Sequence, residues 1–145
     1  MATAPERHMD AQEDEASGSG TVDVELPRER ICAATARRLI EDSFGRELDP
    51  EVLDDLKTIA SELVNNAYEH GKGEIRLKVL RSQHRIKLEV IDQGENAPIA
   101  IRHNAFEGRG NGLRIVDLLA DNWGVFRGVT HVWATLSASP PTAGN

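Results

Sequence analysis

DPEVLDDLKTIASELVNNAYEHG, Asp49 to Gly71, reads as one amphipathic helix with a clear start and stop. Asp49 is a good N-cap, Pro50 fits the first helical position, and Glu51 favours the positive helix end. Val52, Leu56, Ile59, Leu63 and Ala67 recur on one face as a buried stripe. Gly71 can end the helix in a left-handed conformation. Glu62 and Asn66 lie four residues apart, so their side chains stand one turn above each other. They sit beside the stripe, at the edge between core and cleft. A carboxylate there can accept a proton from an attacking hydroxyl or water. An amide oxygen can ligate a hard cation such as Mg. The bland alternative is that the pair belongs to a solvated helix face.

After this helix the period changes from helical to alternating. Ile75, Leu77 and Val79 alternate with Arg76 and Lys78, and Ile86, Leu88 and Val90 alternate with Lys87 and Glu89. The polar turn SQH joins the two runs into an antiparallel hairpin with one wet face. Upstream, Thr21 to Leu26 suits an edge strand. Pro27 can open a helix whose apolar stripe is Ile31, Cys32, Ala34, Leu39 and Ile40, ending near Gly45. Downstream, Glu95 to Glu107 has no period and reads as a long loop. Leu113, Val116 and Leu119 then mark a third helix. Trp123 to Phe126 and His131 to Leu136 form a last hairpin around Arg127-Gly128, with Trp123 and Trp133 as its core residues. The expected fold is α+β: a two-layer α/β sandwich, its mixed sheet mostly antiparallel and its helices on one face.

The chain has 145 residues, enough for one domain with a real core. Its 24 acidic residues outnumber 17 basic ones, a net charge of −7. No basic patch of the kind that binds nucleic acid stands out, so no direct nucleic-acid partner is expected. The single cysteine, Cys32, excludes an internal disulfide, and its apolar neighbours suit a buried structural thiol. No apolar run approaches a membrane span, and the N-terminus lacks an apolar signal core. A cytoplasmic protein without a membrane partner is expected. Residues 1–20 are polar and acidic and end in SGSG, which reads as a disordered tail; residues 138–145 read the same way. The domain is placed at 21–137.

Two short motifs follow the first hairpin. IDQG, Ile91 to Gly94, puts Asp92 at the end of a strand whose inward residues are apolar. A carboxylate there faces the cleft and can accept a hydrogen bond from an exocyclic amine. Gly94 lets the backbone turn and a base approach. The alternative is an ordinary strand-end turn. GRGNGL, Gly108 to Leu113, runs into the third helix. Gly108, Gly110 and Gly112 would leave free amides at a helix N-terminus, where the dipole also favours an anion. Arg109 either adds charge against phosphates or is solvated. No Lys-Ser or Lys-Thr follows the glycines, so this is not a P-loop, and the context is not that of a Rossmann unit.

The three motifs, in this order, resemble the GHKL ATPase superfamily of histidine kinase-like ATP-binding domains. They look like its N-box, its Asp-x-Gly adenine box and its second glycine box. The continuation GLRIVDLLADNWGV and then THVWATL looks most like the anti-sigma serine/threonine kinases. The resemblance covers roughly Val22 to Leu136. It implies ATP and Mg as cofactors, with Glu62 as the catalytic base and Asn66 as the metal ligand. It implies a Bergerat-type fold in which Asp92 and Gly94 meet adenine. It assigns the phosphates to Gly108, Arg109, Gly110, Gly112 and Leu113. The loop Glu95 to Glu107 would be the ATP lid, although it is short for the superfamily; contacts from Asn96, Pro98, His103 and Asn104 stay unassigned. The implied partners are a sigma factor and an anti-anti-sigma protein of STAS type, with the kinase as a homodimer.

Several readings stay open at this stage. His70 lies one turn past Asn66 and either lines the cleft or serves the helix dipole. Asn65 points about 100° away from Asn66 and falls outside the metal shell. Glu69 should rotate toward solvent. A rival function is a non-catalytic ATP-binding regulator that works by protein contacts alone. A detached histidine-kinase catalytic domain is a third reading, and it would need a dimerisation hairpin for which there is no room.

Overall fold

Strand alternation and the helical stripes together produce two layers. The computed structural model describes residues 20–94, 111–126 and 131–138. The acidic tail up to residue 19, the loop 95–107, Gly108, Arg109, Gly110, the Arg127-Gly128 turn and the last seven residues lie outside that description. The elements run β1 (Gly20–Leu26), α1 (Cys32–Phe44), α2 (Pro50–His70), β2 (Ile75–Arg81), β3 (Arg85–Ile91), α3 (Asn111–Leu119), β4 (Asn122–Phe126) and β5 (His131–Ser137). The strands form one sheet in the order β1-β2-β3-β5-β4. Every described pairing is antiparallel, so the parallel component of the expected mixed sheet is not seen.

The register explains the core. Val22 faces Val79, Val79 faces Leu88 and Leu88 faces Ala134, so one apolar row crosses the sheet from its edge strand. A second row joins Val24, Leu77, Val90 and Val132. Against these rows lie Ile40 and Phe44 of α1, Leu56, Ile59, Leu63 and Val64 of α2, and Val116 of α3. Lys57 bridges α2 to Glu41 of α1 at 2.7 Å, and Arg37 donates to Ser61 Oγ at 2.9 Å.

The structure corrects several expectations. The chain after Pro27 makes a turn, with Glu29 N–H donating to Pro27 O, and α1 starts only at Cys32. The buried stripe of α1 is therefore Cys32, Ala33, Ala36, Ile40 and Phe44, while Ile31 is exposed. Cys32 is fully buried as expected, and burial pushes its thiol upward. Asp49 makes no side-chain cap hydrogen bond; its carbonyl accepts from Leu53. The second face of β3 is not wet. Lys87 and Glu89 are buried there, 3.1 Å apart, with His131 and Trp133 of β5 beside them. Trp133 belongs to that face too, opposite Glu89 in the register, and not to the helix-covered core. At the ends, Gly20 already pairs with Arg81, and Ala138 is buried, its N–H donating to His84 O.

Candidate functional site

The end of α2 meets the end of β3. Alternation along β3 turns Val90 toward the helices and Ile91 away from them, so Asp92 returns to the helix side. Its carboxylate is buried, with 7% of the residue exposed. Asp92 Oδ1 accepts from Gly94 N–H at 2.7 Å and from Lys72 N–H at 3.4 Å. These amides hold the carboxylate in one place.

Gly71 is what lets α2 end there. A Cβ on Gly71 would overlap the Asp92 carboxylate and also crowd Ala67 O. The backbone of Gly71 is extended, φ −95° and ψ −165°, and not left-handed as the sequence suggested. The glycine serves close approach rather than a special dihedral. Gly73 does adopt the left-handed region, at φ +68°. Gln93 N–H donates to Lys72 O at 2.8 Å, and Gln93 Oε1 accepts from Glu74 N–H at 2.9 Å. Residues 71–74 thus form a strap laced to the end of β3.

Back along α2, Asn66 and Glu62 are both half-buried, while Asn65 is exposed, in keeping with its place around the helix. The Glu62 carboxyl lies above the usual carboxylate range. Partial burial is the main cause, and the charge of Glu69 adds to it. Glu69 is itself exposed, but seven residues from Glu62 it returns to the same side of the helix. A carboxylate raised this way is a stronger proton acceptor once ionised. His70 is exposed at the helix end and stands 4.0 Å from Glu69, so it takes a peripheral place.

The third helix packs along α2. Gly112 lies in its first turn, and Leu113 is buried in the core at 3% exposure. The part left for Leu113 at an anion is its backbone N–H, not its side chain. The preceding Gly108, Arg109 and Gly110 fall outside the described residues. Among the described residues, no group of three or more His, Cys, Asp or Glu side chains could hold a metal by itself. A cation at Asn66 would therefore draw most of its oxygens from bound phosphates and water, as suits Mg. The residues present fit a nucleotide: a buried, amide-held acceptor at one end and a carboxylate–amide pair further along.

Lys72 and Gln93 carry much of this geometry and were not singled out by sequence reasoning. The signal available was the pair Gly71 and Gly73 around Lys72, two glycines too close together for a simple helix stop. Among the described residues, no helix is long and apolar enough to cross a membrane.

The chain is similar to known proteins. The family model of the histidine kinase-like ATPase domain matches residues 27–136. Two curated relatives are the anti-sigma F factors of Thermoanaerobacter sp. (strain X514) and Thermoanaerobacter pseudethanolicus (strain ATCC 33223 / 39E). Each is 39% identical over 64 residues, which is 40% of this chain and 45% of the relative. The matched region thus spans less than half the length of those relatives.

Proposed function

The chain belongs to the histidine kinase-like ATPase domain family, and from that premise we propose an anti-sigma regulatory protein that binds ATP with Mg. In this reading it phosphorylates a serine of an anti-anti-sigma partner of STAS type, holds a sigma factor, and acts as a homodimer in the cytoplasm. The likeness to two anti-sigma F factors supports the regulatory part.

One observation carries the nucleotide part. A single helix ends against the buried Asp92 and bears Asn66 and Glu62 behind that end. At 1.5 Å of rise per residue, Asn66 lies about 7.5 Å and Glu62 about 13.5 Å back from Gly71. The order acceptor, amide, carboxylate is the order in which an extended nucleotide would present base, phosphates and the site of attack. Asp92 would accept from the adenine amino group. Asn66 would hold Mg, which when bound neutralises charge on the phosphates. Glu62 would take the proton of the attacking serine hydroxyl, and its raised proton affinity suits that task. Amides at the start of α3 would receive phosphate oxygens.

The deciding experiment purifies tagged protein with its retained partners and follows phosphate transfer from labelled ATP–Mg. Glu62→Gln should still bind ATP–Mg but transfer phosphate about a hundredfold more slowly, the low end for loss of a general base. Asn66→Ala should weaken Mg-dependent ATP binding at least about tenfold. Should wild type transfer nothing to any retained partner, and Glu62→Gln match it in every binding assay, the purely regulatory reading replaces the kinase. Unchanged Mg-dependent affinity in Asn66→Ala would remove the ligand assignment.

A further inference from the structure

Arg28 lies between β1 and α1, far in sequence from every motif residue, yet its guanidinium closes on the strap beside Asp92. Nη2 donates to Ala67 O at 2.9 Å, Nη1 to Tyr68 O at 2.8 Å, and Nε to Gly73 O at 2.9 Å. Two of these carbonyls are the last turn of α2, where a cation also suits the helix dipole. The third belongs to the left-handed glycine of the strap. All three nitrogens of one rigid plane are engaged, so Arg28 fixes the distance from helix end to strap.

That distance sets Asp92. The Ala67 carbonyl that receives Arg28 Nη2 also receives Gly71 N–H at 2.9 Å. Gly71 lies against Asp92, and the next amide, Lys72 N–H, reaches Asp92 Oδ1. Gln93, the neighbour of Asp92, is tied to Lys72 and Glu74. A strap released from Arg28 would move Gly71 and the Lys72 amide together, and the carboxylate would follow. We infer that Arg28 is a positioning residue for base selection: it holds the Gly71–Gly73 strap so that the Asp92 carboxylate stands where it can accept from an adenine amino group. This rests on the nucleotide reading above. A lysine in its place would keep the charge and lose the planar fork.

The test compares wild type with Arg28→Ala, Arg28→Lys and Arg37→Ala. Arg37 also links α1 to α2, through Ser61, but does not touch the strap. Binding of ATP, GTP and inorganic tripolyphosphate with Mg is measured by calorimetry, and amide exchange at Lys72 and Gly94 by NMR without nucleotide. Both Arg28 variants should lower the ATP-over-GTP preference by about fivefold or more. They should also speed exchange at Lys72 and Gly94 and leave tripolyphosphate affinity unchanged. Arg37→Ala should keep the preference and the exchange rates. Should Arg28→Ala fail to fold, Arg28→Lys decides alone. Folded Arg28→Lys with wild-type preference and wild-type exchange overturns the inference and leaves the nucleotide reading intact. Wild type without any ATP-over-GTP preference instead removes the adenine reading on which the inference stands.

Discussion

Two carboxylates three residues apart at the end of β3 are buried almost equally and held quite differently. Glu89 is 8% exposed and Asp92 is 7% exposed. They lie on opposite faces of the sheet. Glu89 meets side chains: Lys87 Nζ at 3.1 Å and His131 Nε2 at 3.1 Å, with Lys87 also 5.6 Å from the Trp133 ring centre. Burial alone would raise the Glu89 carboxyl, but the hydrogen bond with His131 and the Lys87 charge outweigh it and hold it at about 2. Asp92 is instead gripped by main-chain amides and pressed on a glycine. Side-chain partners on neighbouring strands make Glu89 a tie within the sheet. Main-chain partners, Gly94 N–H in its own turn and Lys72 N–H on the strap, make Asp92 a fixed point from which a ligand can be read.

The sharpest break of this contrast would come from Glu89→Gln. Removing one member of a buried ion pair costs about 3 kcal/mol, because the buried Lys87 then faces an uncharged amide in place of a carboxylate. Urea unfolding at neutral pH should register that loss. The sign of the pH dependence follows from the depressed carboxyl. The Glu89 contribution is present above pH ~4.5, its value in an unfolded chain, and is lost as pH falls toward 2. The gap between wild type and variant should therefore narrow over that window. Nucleotide affinity of the folded variant should not change. A variant as stable as wild type, or one folded but deficient in nucleotide binding, would erase the distinction between the two carboxylates.

Asp92→Asn should do the reverse. ATP affinity should fall at least about tenfold, or ~1.4 kcal/mol, with the ATP-over-GTP preference shrinking. Its stability loss should be smaller than that of Glu89→Gln. Intact affinity and selectivity would return Asp92 to the status of a turn residue. Gly71→Ala probes the same contact from the other side. The extended backbone admits alanine, so only the Asp92 carboxylate and Ala67 O obstruct it. ATP affinity should fall by about threefold to tenfold, and the loss should not add to that of Asp92→Asn, since both disturb one contact. Full additivity would mean that Gly71 acts elsewhere.

Local pattern made the two hairpins, the course of α2 and the place of Glu62 beside Asn66 readable in advance, because period and caps act over a few residues. It misjudged what depends on distant partners. Lys87 and Glu89 look solvent-facing by alternation, yet their partners His131 and Trp133 come from β5, His131 lying 42 residues from Glu89. Gly71 looks like a left-handed stop until Asp92, on another element, supplies the reason for a missing side chain. The stripe of α1 keeps Cys32 and Ile40 but loses Ile31, because the turn after Pro27 leaves Ile31 outside the helix. Arg28 had no local signal at all, since its three acceptors lie 39 to 45 residues away.

A third carboxylate extends the comparison and gives the smallest effect. Glu62 is half-buried like a core-edge residue, but its shift is opposite to that of Glu89: burial and the Glu69 charge raise it. The folded state therefore binds the Glu62 proton more tightly than the unfolded chain does. By linkage, its cost to stability is absent below pH ~4.5 and appears as pH rises through the raised value. Glu62→Gln, studied without nucleotide or Mg, should match wild type near pH 4 and become slightly more stable by pH 8. A gain of up to about 2 °C in Tm is expected. The pH curves of Glu62→Gln and Glu89→Gln relative to wild type should thus diverge in opposite directions. A proton acceptor that destabilises its own fold is the pattern of a residue kept for chemistry, and a tie is the pattern of one kept for structure. If Glu62→Gln instead loses stability as pH rises, Glu62 is a second tie, and the case for it as the base weakens even before any phosphate transfer is measured.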